Sequence, residues 1–166
     1  VRPTGKYTIP FIGLKIGHHT FEFKVGQAFF AEKDYSIVHH GDVLVVLQLE
    51  KKETMLIANF HVAGSVESAC DRCGEPVQVS ISGAYKIIYK FGFEESIDES
   101  LVVLHPDAYM LELDDTLYEL VTLSLPNRLK HGVGQCNPEV LKLLSNYSEE
   151  EDEDLDEDDL EDEEEE

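Results

Sequence analysis

In four stretches of this 166-residue chain the apolar residues fall at every second position. Phe21, Phe23 and Val25 alternate with polar neighbours in TFEFKV, and Val43, Val45, Leu47 and Leu49 share one parity in DVLVVLQLE. Val77, Val79 and Ile81 follow Pro76, and Tyr85, Ile87, Tyr89 and Phe91 follow Gly83. A period of two puts one set of side chains on one face of a strand, so these stretches predict half-buried sheet. KKET turns the chain into MLIANFHV, Gly64 reads as a break or a bulge, and an extended piece over 65–70 runs into Cys70. Four or five consecutive strands joined by short turns make an antiparallel meander or a partly closed barrel, not βαβ units.

Further on the period changes. In DDTLYELVTLSLP, Leu117, Leu120, Val121 and Ser124 follow helical spacing, Thr116 and Glu119 form a capping box, and Pro126 marks the stop. NPEVLKLLSNY reads as a second short helix, with Asn137 as cap and Pro138 in its first turn. FEESIDES is a loop, and LVVL and YMLEL are short strands or extended packing segments. The expected fold class is α+β, mainly β, with one or two short helices packed on the sheet.

Charge divides the chain. The net charge is −22, of which −16 lies in the run from Glu149 to Glu166, leaving −6 for the remainder. A like-charged run with two leucines as its apolar content cannot bury enough surface to offset its ordering entropy. The expectation is one β-rich domain over 1–147 and a disordered acidic tail over 148–166. Such a tail is either a solubilising extension or a lure for a basic partner. The longest apolar run, VLVVL at 43–47, is too short to span a bilayer, and the first residues lack the apolar core of a secretory signal. The expected location is the cytoplasm, with no membrane partner. An odd number of cysteines, three, fits reduced thiols there better than a disulfide framework.

Two of those cysteines, Cys70 and Cys73, form C-x-x-C followed by Gly74, between two strand patterns. A tight turn brings both sulfurs to one centre, and a glycine after the second supplies positive φ without steric cost. The pair is half of a closed tetrahedral site, and His131 and Cys136, in the Gly-rich HGVGQC, are the natural completing pair for one structural zinc. Inert or free thiols are the bland alternative. A redox pair is a further one, weakened because the motif leads into a strand, not a helix N-terminus. His18-His19 and His39-His40 face opposite sides of their strands and do not chelate one ion. There is no P-loop, G-x-S-x-G, H-E-x-x-H or dinucleotide fingerprint, and nothing assembles a catalytic set. Neither an enzymatic activity nor a small-molecule substrate is expected.

The order of these features resembles the YceD family: a β-rich first half, CDRCGEPV, a strand ending in YKFG, an acidic interval, then LELDDTLYELVTLSLP running into a His/Cys loop. The matching residues are Cys70, Arg72, Cys73, Asp114, Glu119, Leu123, Leu125 and Pro126, and GLKIGHHTFEFKV is similar to the opening of the Bacteroidetes-type version. Some members carry a second cysteine pair downstream, where this chain has His131 and Cys136. The resemblance implies a non-enzymatic role in accumulation of large-subunit ribosomal RNA, with that RNA or a basic large-subunit protein such as bL32 as partner. Arg72, Arg128 and Lys130 would form a cationic rim around the closed site, and Lys86 and Lys90, on one strand face, would extend it. The runner-up is a zinc-stabilised module holding a basic ribosomal protein through the acidic tail. A thiol oxidoreductase is a distant third.

Overall fold

In this computed structural model the described residues are 7–93, 97–98 and 100–153, without the side chains of 148–153. They form seven strands and three helices. β2 (Gly17–Gly26), β3 (Val38–Lys51), β4 (Met55–Ala69), β5 (Pro76–Phe91) and β6 (Leu101–Leu104) make one sheet in that order. β1 (Thr8–Ile9) and β7 (Leu111–Glu112) pair separately and antiparallel. α1 (Gln27–Ala31) joins β2 to β3, while α2 (Asp114–Leu123) and α3 (Pro138–Glu153) follow the strands. The fold is mainly β.

The period of two is realised side chain by side chain. Phe21, Phe23 and Val25 of β2, Val43, Val45, Leu47 and Leu49 of β3, and Leu56, Ala58, Phe60 and Val62 of β4 are all buried. The register Phe21↔Leu47↔Phe60 and Phe23↔Val45↔Val62 lays them in rows across the sheet, where cross-strand neighbours touch. Leu117, Leu120 and Val121 of α2, Phe29 and Phe30 of α1, and Ile9, Leu111 and Leu113 complete the same core.

Several expectations are corrected. The sheet is open, not a barrel, and β6 runs parallel to β5, with Ile88 opposite Leu101 and Phe91 opposite Leu104. Gly64 neither breaks nor bulges β4. It faces Val43 across the ladder, and a Cβ there would meet the Asp42 carbonyl oxygen and lie 2.7 Å from Val43 Cα, so close backbone approach explains the glycine. The bulge lies in β3, between Val38 and His40. Gly83 does not divide two strands either. β5 passes straight through it, and a Cβ there would fall 2.6 Å from Ser124 Oγ at the end of α2. Thr116 and Glu119 are no capping box. α2 begins at Asp114 behind fully buried Leu113, without a side-chain cap, and its start is fixed by that burial and by Leu113 N–H donating to the Tyr7 carbonyl at 2.9 Å. Three helices form instead of one or two, α1 being the addition. Asn137 does cap α3: its Oδ1 accepts the Glu139 N–H at 3.0 Å. The expected tail overlaps α3 as far as Glu153, and 154–166 lie outside the described residues.

The chain falls into two compact units. The first, 1–68 with 78–127, holds the core just described. The second, 69–77 with 128–166, contains the turn between β4 and β5, the segment after α2, and α3. Its buried apolar residues, among those described, are Cys70, Val77, Leu129 and Cys136. Two cysteines in a set of four is a very small hydrophobic core for any unit to rest on.

Candidate metal centre

The turn between β4 and β5 is built by its backbone. Cys70 N–H donates to the Glu75 carbonyl and Gly74 N–H to the Cys70 carbonyl, both at 2.8 Å. Gly74 sits at φ 75°, in the left-handed region, as the C-x-x-C-G pattern requires. Nothing lies within 4 Å of where its Cβ would be, so the demand for glycine comes from φ alone. The turn thereby holds Cys70 and Cys73 toward one side.

The segment after α2 is clamped onto this turn by Asp71, between the two cysteines. Asp71 N–H donates to the Leu129 carbonyl, and Leu129 N–H donates back to Asp71 Oδ2, each at 2.7 Å. Two residues on, His131 Nε2 donates to the Pro76 carbonyl at 2.9 Å. A carbonyl only accepts, so the proton sits on Nε2 and the Nδ1 lone pair is left for the interior. Gly134, at φ 77°, and the Gln135 N–H to Gly132 carbonyl bond of 3.1 Å then fold Cys136 back beside that ring. Asn137 Nδ2 donates to Glu75 Oε1 at 2.8 Å, closing the far side.

Four donor atoms converge as a result. Cys70 Sγ is 3.9 Å from Cys136 Sγ, Cys73 Sγ is 3.5 Å from His131 Nδ1, and Cys136 Sγ is 3.8 Å from the same nitrogen. All four lie within 4.8 Å of one another. In a tetrahedral zinc site, bonds of ~2.3 Å to sulfur and ~2.0 Å to nitrogen give edges of about 3.8 Å between sulfurs and about 3.5 Å between sulfur and nitrogen. These donors could therefore hold a metal ion such as zinc. A carbonyl that orients the ring from its far nitrogen is the usual outer support of a histidine ligand.

The electrostatics agree with that donor set. Burial pushes the Cys70 thiol up, but the backbone around Cys73, Arg72 and His131 hydrogen-bonds the sulfur and brings it down to about 6. Burial raises Cys136, and its neighbours Cys70 and Cys73 raise it further. The Pro76 carbonyl raises His131. One thiolate is thus accommodated by the backbone, while more than one in so small a space calls for a cation. All three cysteines are free thiols, Cys70 and Cys136 buried and Cys73 half-buried.

The predicted cations fall into two groups. Arg72 follows Asp71 in the turn, and Arg128 and Lys130 flank Leu129, the residue Asp71 holds. None of the three is in an ion pair among the described residues, whereas the acids of the turn are engaged, Asp71 with Leu129 and Glu75 with Asn137. Lys86 and Lys90 are exposed on one face of β5, in the other unit. Neither histidine pair enters the cluster: His19 Nε2 bonds the Lys15 carbonyl, and His39 and His40 are exposed. The sequence reading missed Asp71 and the Pro76 carbonyl. An acid between two cysteines was visible, but its partner 58 residues away was not.

No helix among the described residues is long and apolar enough to cross a membrane. A family model described as Large ribosomal RNA subunit accumulation protein YceD matches residues 58–166 and so spans all four donor residues. No curated protein and no solved structure matches the chain.

Proposed function

The chain belongs to the YceD family, whose membership implies a role in large-subunit ribosomal RNA accumulation, and on that premise we propose that it is a non-enzymatic factor in biogenesis of the large ribosomal subunit. Its Cys70, Cys73, His131 and Cys136 hold one structural zinc, and the cytoplasm is where it acts. The observation that carries this is the convergence of the four donors inside the matched region, in a unit with almost no other buried apolar residues. The zinc supplies cohesion where hydrophobic burial does not, a structural site being worth ~10–16 kcal/mol at neutral pH in small domains. A closed four-donor site leaves no open position for substrate, which supports a structural over a catalytic role.

Contact with RNA is local, through Arg72, Arg128 and Lys130, because the chain as a whole is acidic and repels phosphate at long range. Lys86 and Lys90 offer a second point of contact on β5. The −16 run favours a further reading, a basic large-subunit protein such as bL32 as the direct partner, with the RNA effect following from it.

Cells lacking the protein test the role. The ratio of large- to small-subunit RNA falls, and it is restored by the intact gene but not by Cys136→Ser. A normal ratio in the deleted strain, in the cold as well as in standard growth, contradicts the proposal.

A further inference from the structure

Val140, Leu143, Leu144 and Tyr147 of α3 fall at i, i+3, i+4 and i+7. At about 100° per residue they occupy one stripe, roughly 100° wide, along two turns. A soluble helix buries such a stripe. Here Leu143 is 59% exposed, Leu144 48% and Tyr147 69%, while Val140 is half-buried. Large apolar side chains grouped at helical spacing and left in water mark a surface made to be covered. We propose that this face of α3 is a docking site for a basic polypeptide that presents an apolar groove edged by lysines or arginines.

Charge decides among the occupants. The stripe leads directly into the acidic run that begins at Glu149, and that run carries −16. A second copy of the chain would bring another −16 alongside, so self-association through α3 is opposed. Nucleic acid and an anionic membrane surface are repelled for the same reason. A cationic polypeptide is attracted: the acidic run accelerates encounter and the stripe fixes the register, the usual division of labour between long-range charge and a desolvated apolar centre. This deepens the basic-partner reading above and rests on it, not on the RNA contacts or on the zinc.

Two turns of helix are a small interface, well below the ~800 Å² per partner of a standard one. Binding is therefore in the micromolar range and strongly dependent on salt. Ser148 alone separates the end of the stripe at Tyr147 from the acidic stretch, so both elements act on the same peptide.

The test is fluorescence anisotropy on the intact protein, with two labelled probes of equal charge: a helical Leu/Lys amphipathic peptide and an oligolysine. The expected result is micromolar binding of the amphipathic peptide, weakened at least tenfold by Leu143→Ala with Leu144→Ala. Oligolysine binds more weakly and is unaffected by the pair. Alanine keeps helix propensity, and an unchanged far-ultraviolet spectrum shows that α3 persists. Tyr147→Ala, nearer the end of the stripe, gives an intermediate loss. If the double variant binds the amphipathic peptide as tightly as the parent chain does, the docking face is refuted. So it is if a labelled RNA oligomer binds the intact protein and the same double variant abolishes that binding. If the intact protein binds no amphipathic peptide while gene deletion lowers the RNA ratio, the docking face alone is rejected; if the peptide binds and deletion leaves the ratio normal, the RNA role alone is rejected.

Discussion

Cys70 and Cys136, 66 positions apart in sequence, bring their sulfurs to 3.9 Å. Closing so long a loop costs chain entropy, and among the described residues the hydrogen bonds that hold its two ends together within the second unit are few: the reciprocal Asp71–Leu129 bonds, the His131–Pro76 bond and the Asn137–Glu75 bond. Polar bonds of this kind each contribute only about 1 kcal/mol net, so a metal ion held by the four donors would be the strongest source of cohesion in the second unit.

Gly74→Ala tests the backbone side of this account. At φ 75° an alanine is strained by ~1–2 kcal/mol, although nothing lies within 4 Å of its Cβ. The substitution weakens zinc binding, measured by competition with a chelator, and leaves the melting of the first unit nearly unchanged. Gly13→Ala, also with open space around it but without a positive φ, has no such effect.

Much of the first unit was legible in the sequence because its signal is local. Parity alone assigned the inward side chains of β2, β3 and β5, and in the second unit Asn137-Pro138 announced the start of α3. Gly83 misled because glycine was read as punctuation. The parity from Val77 to Phe91 never shifts across it, which is what an unbroken strand requires. α1 escaped because five residues carry no period, and Phe29 and Phe30 are helical for the sake of burial. At the metal centre the donor types and the C-x-x-C-G turn were visible. The Asp71–Leu129 clamp and the Pro76 carbonyl behind His131 were not, since a backbone acceptor leaves no mark on residue identity.

Lys33 is held by a ring of partners within the first unit. Its Nζ bonds Asp115 Oδ1 at 2.9 Å and lies 5.5, 5.7 and 5.4 Å from the ring centroids of Phe29, Tyr35 and Tyr118. The hydrogen bond to Asp115 raises its pKa. Lys33→Met keeps the aliphatic stem and removes the ammonium, at a cost of about 1–2 kcal/mol from lost cation–π contact. Denaturant unfolding reads this directly. Asp115→Asn costs less, because Asp115 is largely exposed and the pair is screened by water.

Tyr89 sets an alkaline limit on stability. Its ring is buried and its hydroxyl has no partner at hydrogen-bonding geometry among the described residues. Burial pushes its pKa up to about 12, opposed by Thr116 and reinforced by the charge of Glu119. The folded chain therefore keeps the proton longer than the unfolded chain, whose tyrosines ionise near 10. The contribution of this group is complete below about pH 10 and is lost at up to ~1.4 kcal/mol per pH unit until about pH 12. Tyr89→Phe removes that part of the slope. At neutral pH the variant is as stable as the parent chain or more so, since a buried hydroxyl without a partner is a liability. A loss above about 2 kcal/mol at pH 7 would show that the hydroxyl is satisfied.

Zinc X-ray absorption on the purified chain tests the central claim most directly. One equivalent of zinc should bind with about three sulfur neighbours at ~2.3 Å and one nitrogen at ~2.0 Å, and His131→Ala should remove the nitrogen shell. A chain that takes up no zinc from an equimolar solution, while Cys70 and Cys136 stay reduced and the amides of Asp71 and Leu129 remain protected from exchange, would contradict the account. The turn would then be held by its hydrogen bonds alone.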